Sequence, residues 1–291
     1  MRYLICLICS TCFAQFDFNQ PIKFLALGDS YTIGASVAYQ ERWPSQLYDS
    51  LAKLDLEIDT LHYIATSGWT TTDLQRAIRS TSYKNDYNLV SLLIGVNNEY
   101  QNKSFSLYQK EFPQLLSRAI EFANNDSSQV FVVSIPDYDY TPFGGNNESI
   151  SERLDQYNQF AESYCDSLGV NFFYITDISR KGLDEPELVA NDDLHPSGKQ
   201  YAKWVDLILL EYKADQIKAT EGSINTSFKV YPNPTSGKIW VTTQSRESVV
   251  VYNCAGELVY KTSEQLINLT SYPKGVYFLK QGDHYEKIMV K

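Results

Sequence analysis

Five short runs of β-branched and aromatic residues recur along the first part of the chain: Ile22–Leu27, Ile58–Ile64, Leu89–Ile94, Val130–Ile135 and Asn171–Ile175. Between them lie longer segments in which apolar residues return at helical spacing. Leu47, Leu51 and Leu54 make one such stripe within Pro44–Leu54. Phe105, Tyr108, Phe112, Leu115, Leu116 and Ala119 make another within Ser104–Ala123, and Ile150–Leu168 and Ser197–Tyr212 follow suit. Short, almost wholly apolar strands are buried on both faces, and strands joined by helical crossovers run parallel. The alternation predicts an α/β domain over about residues 18–212, a parallel sheet covered by helices on both sides. With 291 residues, 43% of them hydrophobic, the chain can bury such a core and a second unit besides.

After Tyr212 the pattern changes. Residues 213–227, KADQIKATEGSINTS, are polar and without period, and read as a linker. From 228 to 291 short strands alternate with turn signals: Pro-Asn-Pro at 232–234, Ser-Gly at 236–237, Ala-Gly at 255–256, Pro-Lys-Gly at 273–275 and Gly-Asp at 282–283. This spacing predicts a small β-sandwich. Charge changes with it. Residues 228–291 carry 8 Lys/Arg and 5 Asp/Glu, a balance of +3, which leaves −13 of the total −10 to the residues before. Such a change of sign along the chain points to two units. An acidic chain repels nucleic-acid phosphates and anionic lipid, so neither is an expected partner.

The N-terminal stretch MRYLICLICSTCFAQ has one arginine, an apolar run from Leu4 to Ile8, and Cys12 and Ala14 ahead of Gln15. It predicts a secretory signal peptide over residues 1–14, cleaved before Gln15. No other apolar run approaches the roughly 18 residues of a membrane helix. Once the leader is removed, Cys165 and Cys254 remain, so neither a disulfide framework nor a cysteine metal site is expected.

The first strand runs into Gly28, Asp29 and Ser30, followed by Gly34. One reading is a strand-to-helix turn capped by Asp29 or Ser30. The other is a nucleophile displayed at the carboxyl edge of a parallel sheet, where α/β folds place their chemistry. A serine nucleophile needs a base, and the base needs an orienting group. Of the three histidines, His62 lies in a predicted strand and His284 in the sandwich. His195 lies in NDDLHPSGK, three residues after Asp192, a spacing that brings a carboxylate to the imidazole Nδ1. Asp193 is the rival for that role. Donors for a developing oxyanion could come from Gly68, in ATSGWTT after the second strand, and from the Asn97 amide, in LLIGVNNEY after the third.

Four blocks in this order, GDS at 28–30, a glycine at 68, GVNN at 95–98 and DDLHP at 192–196, resemble those of the SGNH (GDSL-type) hydrolases. The resemblance covers about Lys23 to Tyr212. It implies a flavodoxin-like three-layer α/β/α sandwich and ester hydrolysis through an acyl-enzyme, with no metal or cofactor. Carried over by motif, Ser30 would be the nucleophile, His195 the base and Asp192 its orienting partner. The N–H groups of Ser30 and Gly68 and the side chain of Asn97 would form the oxyanion hole. The sequence departs from the family at Asn98, where an aspartate is common.

The last 64 residues, with VYPNPTSGKIWV and INLTSYPKGVYFLKQGDHYEKIMVK, are similar to the type A sorting domain of type IX secretion. That implies export through the periplasm to the cell surface or medium, with the secretion machinery as partner. A carbohydrate-binding sandwich is the other reading, and Trp240 would serve it if exposed. A substrate contact is expected from IPDYDYTPFGGNN at 135–147, through Tyr138, Tyr140 and Phe143, with an acyl chain or a sugar ring as the group bound. The resemblance leaves lipid, lysophospholipid and acetylated carbohydrate esters open as substrates. A non-catalytic secreted binding protein on the same scaffold is the reading from another class.

Overall fold

In the computed structural model the described residues are 20–54, 56–145, 148–221, 228–242, 247–282 and 284–291. The leader over 1–14 lies outside them. Strand β1 (Ile22–Gly28) is followed by α1 (Ser30–Ile33), α2 (Trp43–Ala52), β2 (Ile58–Ala65) and α3 (Thr71–Ser80). Then come β3 (Leu89–Leu93), α4 (Val96–Tyr100), α5 (Phe105–Phe122), β4 (Val130–Val133), α6 (Glu148–Leu168), β5 (Asn171–Phe173), α7 (Thr176–Ser179) and α8 (Gly198–Glu221). The first five strands pair in parallel in the order β2-β1-β3-β4-β5. This is the doubly wound, flavodoxin-like order, with its switch point between β1 and β3.

All five predicted strands are present and the four predicted helices are α2, α5, α6 and α8. The sheet is apolar because it is covered on both faces: every residue of β3 and β4 is buried. Phe24, Trp43 and Phe131 pack with ring centroids within 6.3 Å of one another, locking the first helix layer to the sheet centre. Periodicity did not mark α3, whose start is set instead by a capping box. Thr70 accepts from the Asp73 N–H, and the Asp73 carboxylate accepts from the Thr70 N–H at 3.1 Å.

A second core forms beyond residue 228, from β6 (Lys229–Tyr231), β7 (Lys238–Thr242), β8 (Val249–Asn253), β9 (Leu258–Thr262), β10 (Leu266–Asn268), β11 (Gly275–Gln281) and β12 (His284–Val290). A three-stranded sheet, β10-β7-β6, packs on a four-stranded one, β12-β11-β8-β9, with antiparallel pairing throughout. Ile239 and Val241 of β7 point into the core, which turns Trp240 outward at 48% exposure. The tail rests on the α/β unit: Cys254 joins the first unit's core, Lys181 reaches Glu257 at 3.5 Å, and Gly275 lies over the Asp177 carboxylate. Among the described residues, Cys165 and Cys254 are both buried, each as a free thiol.

The reading of 213–227 as a linker needs correction. Helix α8 runs on to Glu221, so residues 213–221 are helical, and 222–227 lie outside the described residues. The polar composition that suggested a linker suits equally the end of a helix, where few apolar residues are needed. Among the described residues no helix is long and apolar enough to cross a membrane.

Candidate active site

The carboxyl ends of β1, β2 and β3 gather the residues singled out from sequence. Gly28 ends β1 in a tight spot: a Cβ there would collide with the Thr32 side chain and the Leu93 carbonyl, so nothing larger fits where α1 folds back on the sheet. Asp29 caps α1. Its Oδ1 accepts from Tyr31 N–H at 3.0 Å, and its carbonyl accepts from Thr32 and Ile33. Ser30, the first residue of the helix, is left with an N–H that has no intrahelical partner. A hydroxyl and a backbone N–H without an intrahelical partner thus lie on the same residue.

After β2, Gly68 is exposed at φ +81, with open space where a side chain would be. Glycine takes this conformation without cost. Helix α4, after β3, carries Asn97, whose amide nitrogen donates to Trp69 O at 3.0 Å. An amide has two N–H donors, and the same side chain also interacts with the buried Asp29 carboxyl. Asn98 explains itself in the structure. It is buried, accepts from Thr71 N–H at 2.9 Å and donates to Thr71 Oγ1 at 2.7 Å. Those two bonds clamp the Gly68 loop to α4, and the donated one needs an amide: a carboxylate there could only accept.

The third piece is the loop before α8. Asp192 Oδ2 lies 2.6 Å from His195 Nδ1, while Oδ1 accepts from the N–H groups of His195 at 2.9 Å and Leu194 at 3.1 Å. Ser36 also donates to Oδ2. Burial works against the Asp192 charge, but these donors, Ser36 and the imidazole foremost, hold its carboxyl well below the usual range. Asp193 is turned away, exposed and left-handed at φ +62. The His195 ring packs on Tyr31, the residue that follows Ser30, with centroids 5.6 Å apart. The other two histidines are elsewhere: His62 Nδ1 is 2.8 Å from the Tyr87 hydroxyl, and His284 stacks on Phe228. Among the described residues no cluster of histidine, cysteine and carboxylates could hold a metal.

Asp29 makes the site pH-sensitive in a way that stability can report. It is fully enclosed, and burial pushes its carboxyl up to about 7 against the pull of the Tyr31 N–H. Its Oδ2 has no hydrogen-bond partner among the described residues. A carboxyl that holds its proton more tightly folded than unfolded favours folding at low pH. That contribution is lost between the unfolded value, near 4, and about 7. Asp29→Asn keeps the acceptor for Tyr31 but cannot ionise. Relative to wild type it gains stability between pH 4 and pH 8, by up to about 4 kcal/mol for three pKa units. Urea midpoints of both proteins at the two pH values measure this, and an equal gap at both would contradict it.

The three aromatics of the 135–147 segment divide. Phe143 is 49% exposed, Tyr140 is partly buried and Tyr138 is only 6% exposed. Tyr138 therefore supports the loop: its hydroxyl donates to Glu99 at 2.7 Å, and Arg153 closes on the same carboxylate at 2.6 Å. Phe143 is tied to the loop that carries Asp192 and His195, its N–H donating to Asp193 O at 3.0 Å. Facing it is Tyr100, 54% exposed, with ring centroids 6.0 Å apart. The sequence reading missed Tyr100, although it follows Asn97 by three residues and so shares its helical face. The structure also adds Ser36 and Glu99, which no motif marked. A separate cleft of about 630 Å³ between α6, α7 and the tail is lined by Asp155, Glu162, Asp177, Arg180, Lys274 and Lys291, and by none of the residues above.

Comparison with known proteins bears on both units. The GDSL-like lipase/acylhydrolase family model matches residues 26–203, and the secretion system C-terminal sorting domain matches residues 229–291. No curated protein matches the sequence. Solved structures do. A lipase/acylhydrolase from Enterococcus faecalis is 19% identical with a TM-score of 0.52, covering 65% of this chain and 94% of that one. A lipolytic protein of the G-D-S-L family from Veillonella parvula DSM 2008 is 16% identical with a TM-score of 0.51, covering 65% and 97%. An acetyl xylan esterase from Geobacillus stearothermophilus is 18% identical with a TM-score of 0.52, covering 66% and 94%. At these identities the likeness is one of fold.

Proposed function

The chain belongs to the GDSL-like lipase/acylhydrolase family and is a hydrolase of ester bonds with a sorting tail for secretion; from that premise we propose that it is an exported serine esterase working through Ser30, His195 and Asp192. The observation that carries the reading is the Asp192–His195 pair at 2.6 Å, held by two further backbone N–H bonds beside the residue that follows Ser30. With Nδ1–H held by the carboxylate, Nε2 is free to accept the Ser30 proton as Oγ attacks the ester carbonyl. The carbonyl oxygen, now negative, takes N–H donors from the backbone of Ser30 and Gly68 and from the Asn97 side-chain amide, each worth on the order of 3 kcal/mol. Collapse expels the alcohol, which leaves with the proton from His195, and an acyl-serine remains. Water, deprotonated by His195, then attacks the acyl-serine, and the acid leaves with Ser30 restored. Labelling by a fluorophosphonate, present in wild type and lost in Ser30→Ala, tests the assignment.

For substrate, Tyr100 and Phe143 offer a half-exposed aromatic pair between the Asn97 helix and the His195 loop. Such a pair suits a sugar face or an acyl chain, and the acetyl xylan esterase among the structural relatives favours testing acetylated xylan beside p-nitrophenyl esters of short and long acids. Replacing both aromatics by alanine changes the ratio of kcat/KM among these substrates about tenfold while phosphonate labelling of Ser30 persists, since remote contacts serve specificity. Unchanged ratios would assign the pair to packing.

The sorting tail is proposed to act after a leader-directed passage through the periplasm, with the type IX machinery as partner. A chain stopped after Glu221 keeps kcat/KM within about twofold in vitro, because the tail adds to the buried α/β core only Cys254 and supplies none of the proposed site residues. In the producing cell the same chain accumulates in the periplasm. Normal export of the truncated chain would contradict the tail's role, and loss of activity in vitro would make the sandwich part of the catalytic unit.

A further inference from the structure

Ser36 stands outside every motif, yet its hydroxyl donates to Asp192 Oδ2, the same oxygen that faces His195 Nδ1. The contact joins residues 156 apart in sequence. Its backbone is left-handed, at φ +66, a conformation that glycine adopts freely and serine rarely. The turn that carries it begins at the nucleophile. Gly34 and Ala35 both donate their N–H groups to Ser30 O, the second at 3.0 Å. So one short turn starts on the carbonyl of Ser30 and ends in a hydroxyl on the carboxylate that orients the base.

We propose that Ser36 is a positioning residue for the Asp192–His195 pair, fixing the rotation of the carboxylate and tying the Asp–His loop to the nucleophile's turn. This rests on the catalytic reading of Ser30, His195 and Asp192 given above. Asp192 is partly exposed and sits on a loop, where a carboxylate held at one oxygen can still rock about its terminal torsion. Backbone N–H groups hold Oδ1, and Ser36 supplies the second hold on the oxygen that matters. Its donation also shares the negative charge, so the carboxylate grips an imidazolium less strongly than it would alone. The other ionisable groups around the pair are Tyr31, whose ring packs on the imidazole, and Tyr201, which interacts with Asp192, Asp29 and Arg42. Burial pushes both tyrosines well above their ordinary range, so they stay neutral.

The test uses Ser36→Ala and Ser36→Gly in the full-length chain, beside Ser30→Ala. Both Ser36 variants lower kcat about tenfold with KM changed less than about twofold, as for an interaction that matters mainly in the transition state. In both, the acid limb of kcat/KM moves to higher pH, because the carboxylate freed of one donor holds the imidazolium more tightly. Ser36→Gly is at least as heat-stable as wild type, since glycine accepts the left-handed backbone. A wild-type kcat and acid limb in Ser36→Gly would overturn the proposal. So would a loss in Ser36→Ala that Ser36→Gly does not share, which would assign the position to backbone conformation. Full turnover in Ser30→Ala would instead bring down the reading of the site itself.

Discussion

Ser30→Ala loses ester turnover by about 10⁴-fold or more in kcat, and adding His195→Ala removes little further. The reason lies in how the two are held. Ser30 opens α1, whose other early N–H groups are taken by Asp29, so its own N–H is left without an intrahelical partner. The His195 ring packs on the next residue, Tyr31, and in the proposed mechanism its Nε2 takes the Ser30 proton. A hydroxyl without its base is a poor nucleophile, and a base without its hydroxyl has nothing to deprotonate, so either deletion removes the same step. Both variants keep the proposed oxyanion donors, the N–H groups of residues 30 and 68 and the Asn97 amide, which still favour attack by water. Strictly additive losses in the double variant would mean that Ser30 and His195 act in different steps. Steady-state turnover of a p-nitrophenyl ester by the four proteins, made and purified in parallel, gives the answer.

Much of this site is legible in the amino-acid sequence, because its parts are punctuation. Polar and glycine residues at the ends of apolar strands must lie at one sheet edge once the strands are parallel, and the strand order then brings β1 and β3 side by side. Asp192 and His195 are legible for a different reason, the short loop spacing. What stays hidden depends on contacts between distant segments. Nothing local says that Ser36 will reach Asp192 or that Tyr138 will turn inward to Glu99 while Phe143 stays out. The departure at Asn98 reads, by motif, as a weakening. Its partner, Thr71, sits in another segment, and only their pairing shows the amide filling both halves of a buried hydrogen-bond pair. The run of polar residues after Tyr212 misleads in the opposite sense, since composition cannot tell a linker from the last turns of a helix.

Asp192→Asn lowers kcat by about 10³- to 10⁴-fold, whereas Asp193→Asn stays within about threefold of wild type. The two residues are neighbours with the same side chain, so the contrast isolates geometry. Asp192 Oδ1 accepts two backbone N–H groups, and an asparagine would keep its oxygen there because nothing else on the side chain can accept. Its amide nitrogen must then face His195 Nδ1, and two donors cannot share that contact. The imidazole responds by carrying its proton on Nε2, the tautomer that cannot take the Ser30 proton. The charge that would steady the imidazolium is gone as well. At Asp193 the contribution is backbone: a left-handed φ of +62, which asparagine tolerates equally, and a carbonyl that accepts from Phe143. Because the donors around Asp192 hold its carboxyl well below the usual range, it is charged from pH 5 to pH 8 in wild type. In Asp192→Asn the imidazole sheds its proton more readily, so the acid limb of kcat/KM moves to lower pH. An acid limb that stayed in place would mean that Asp192 carries no charge in the working enzyme. A large loss in Asp193→Asn beside a silent Asp192→Asn would transfer the orienting role to the neighbour and leave the 2.6 Å contact without a catalytic purpose.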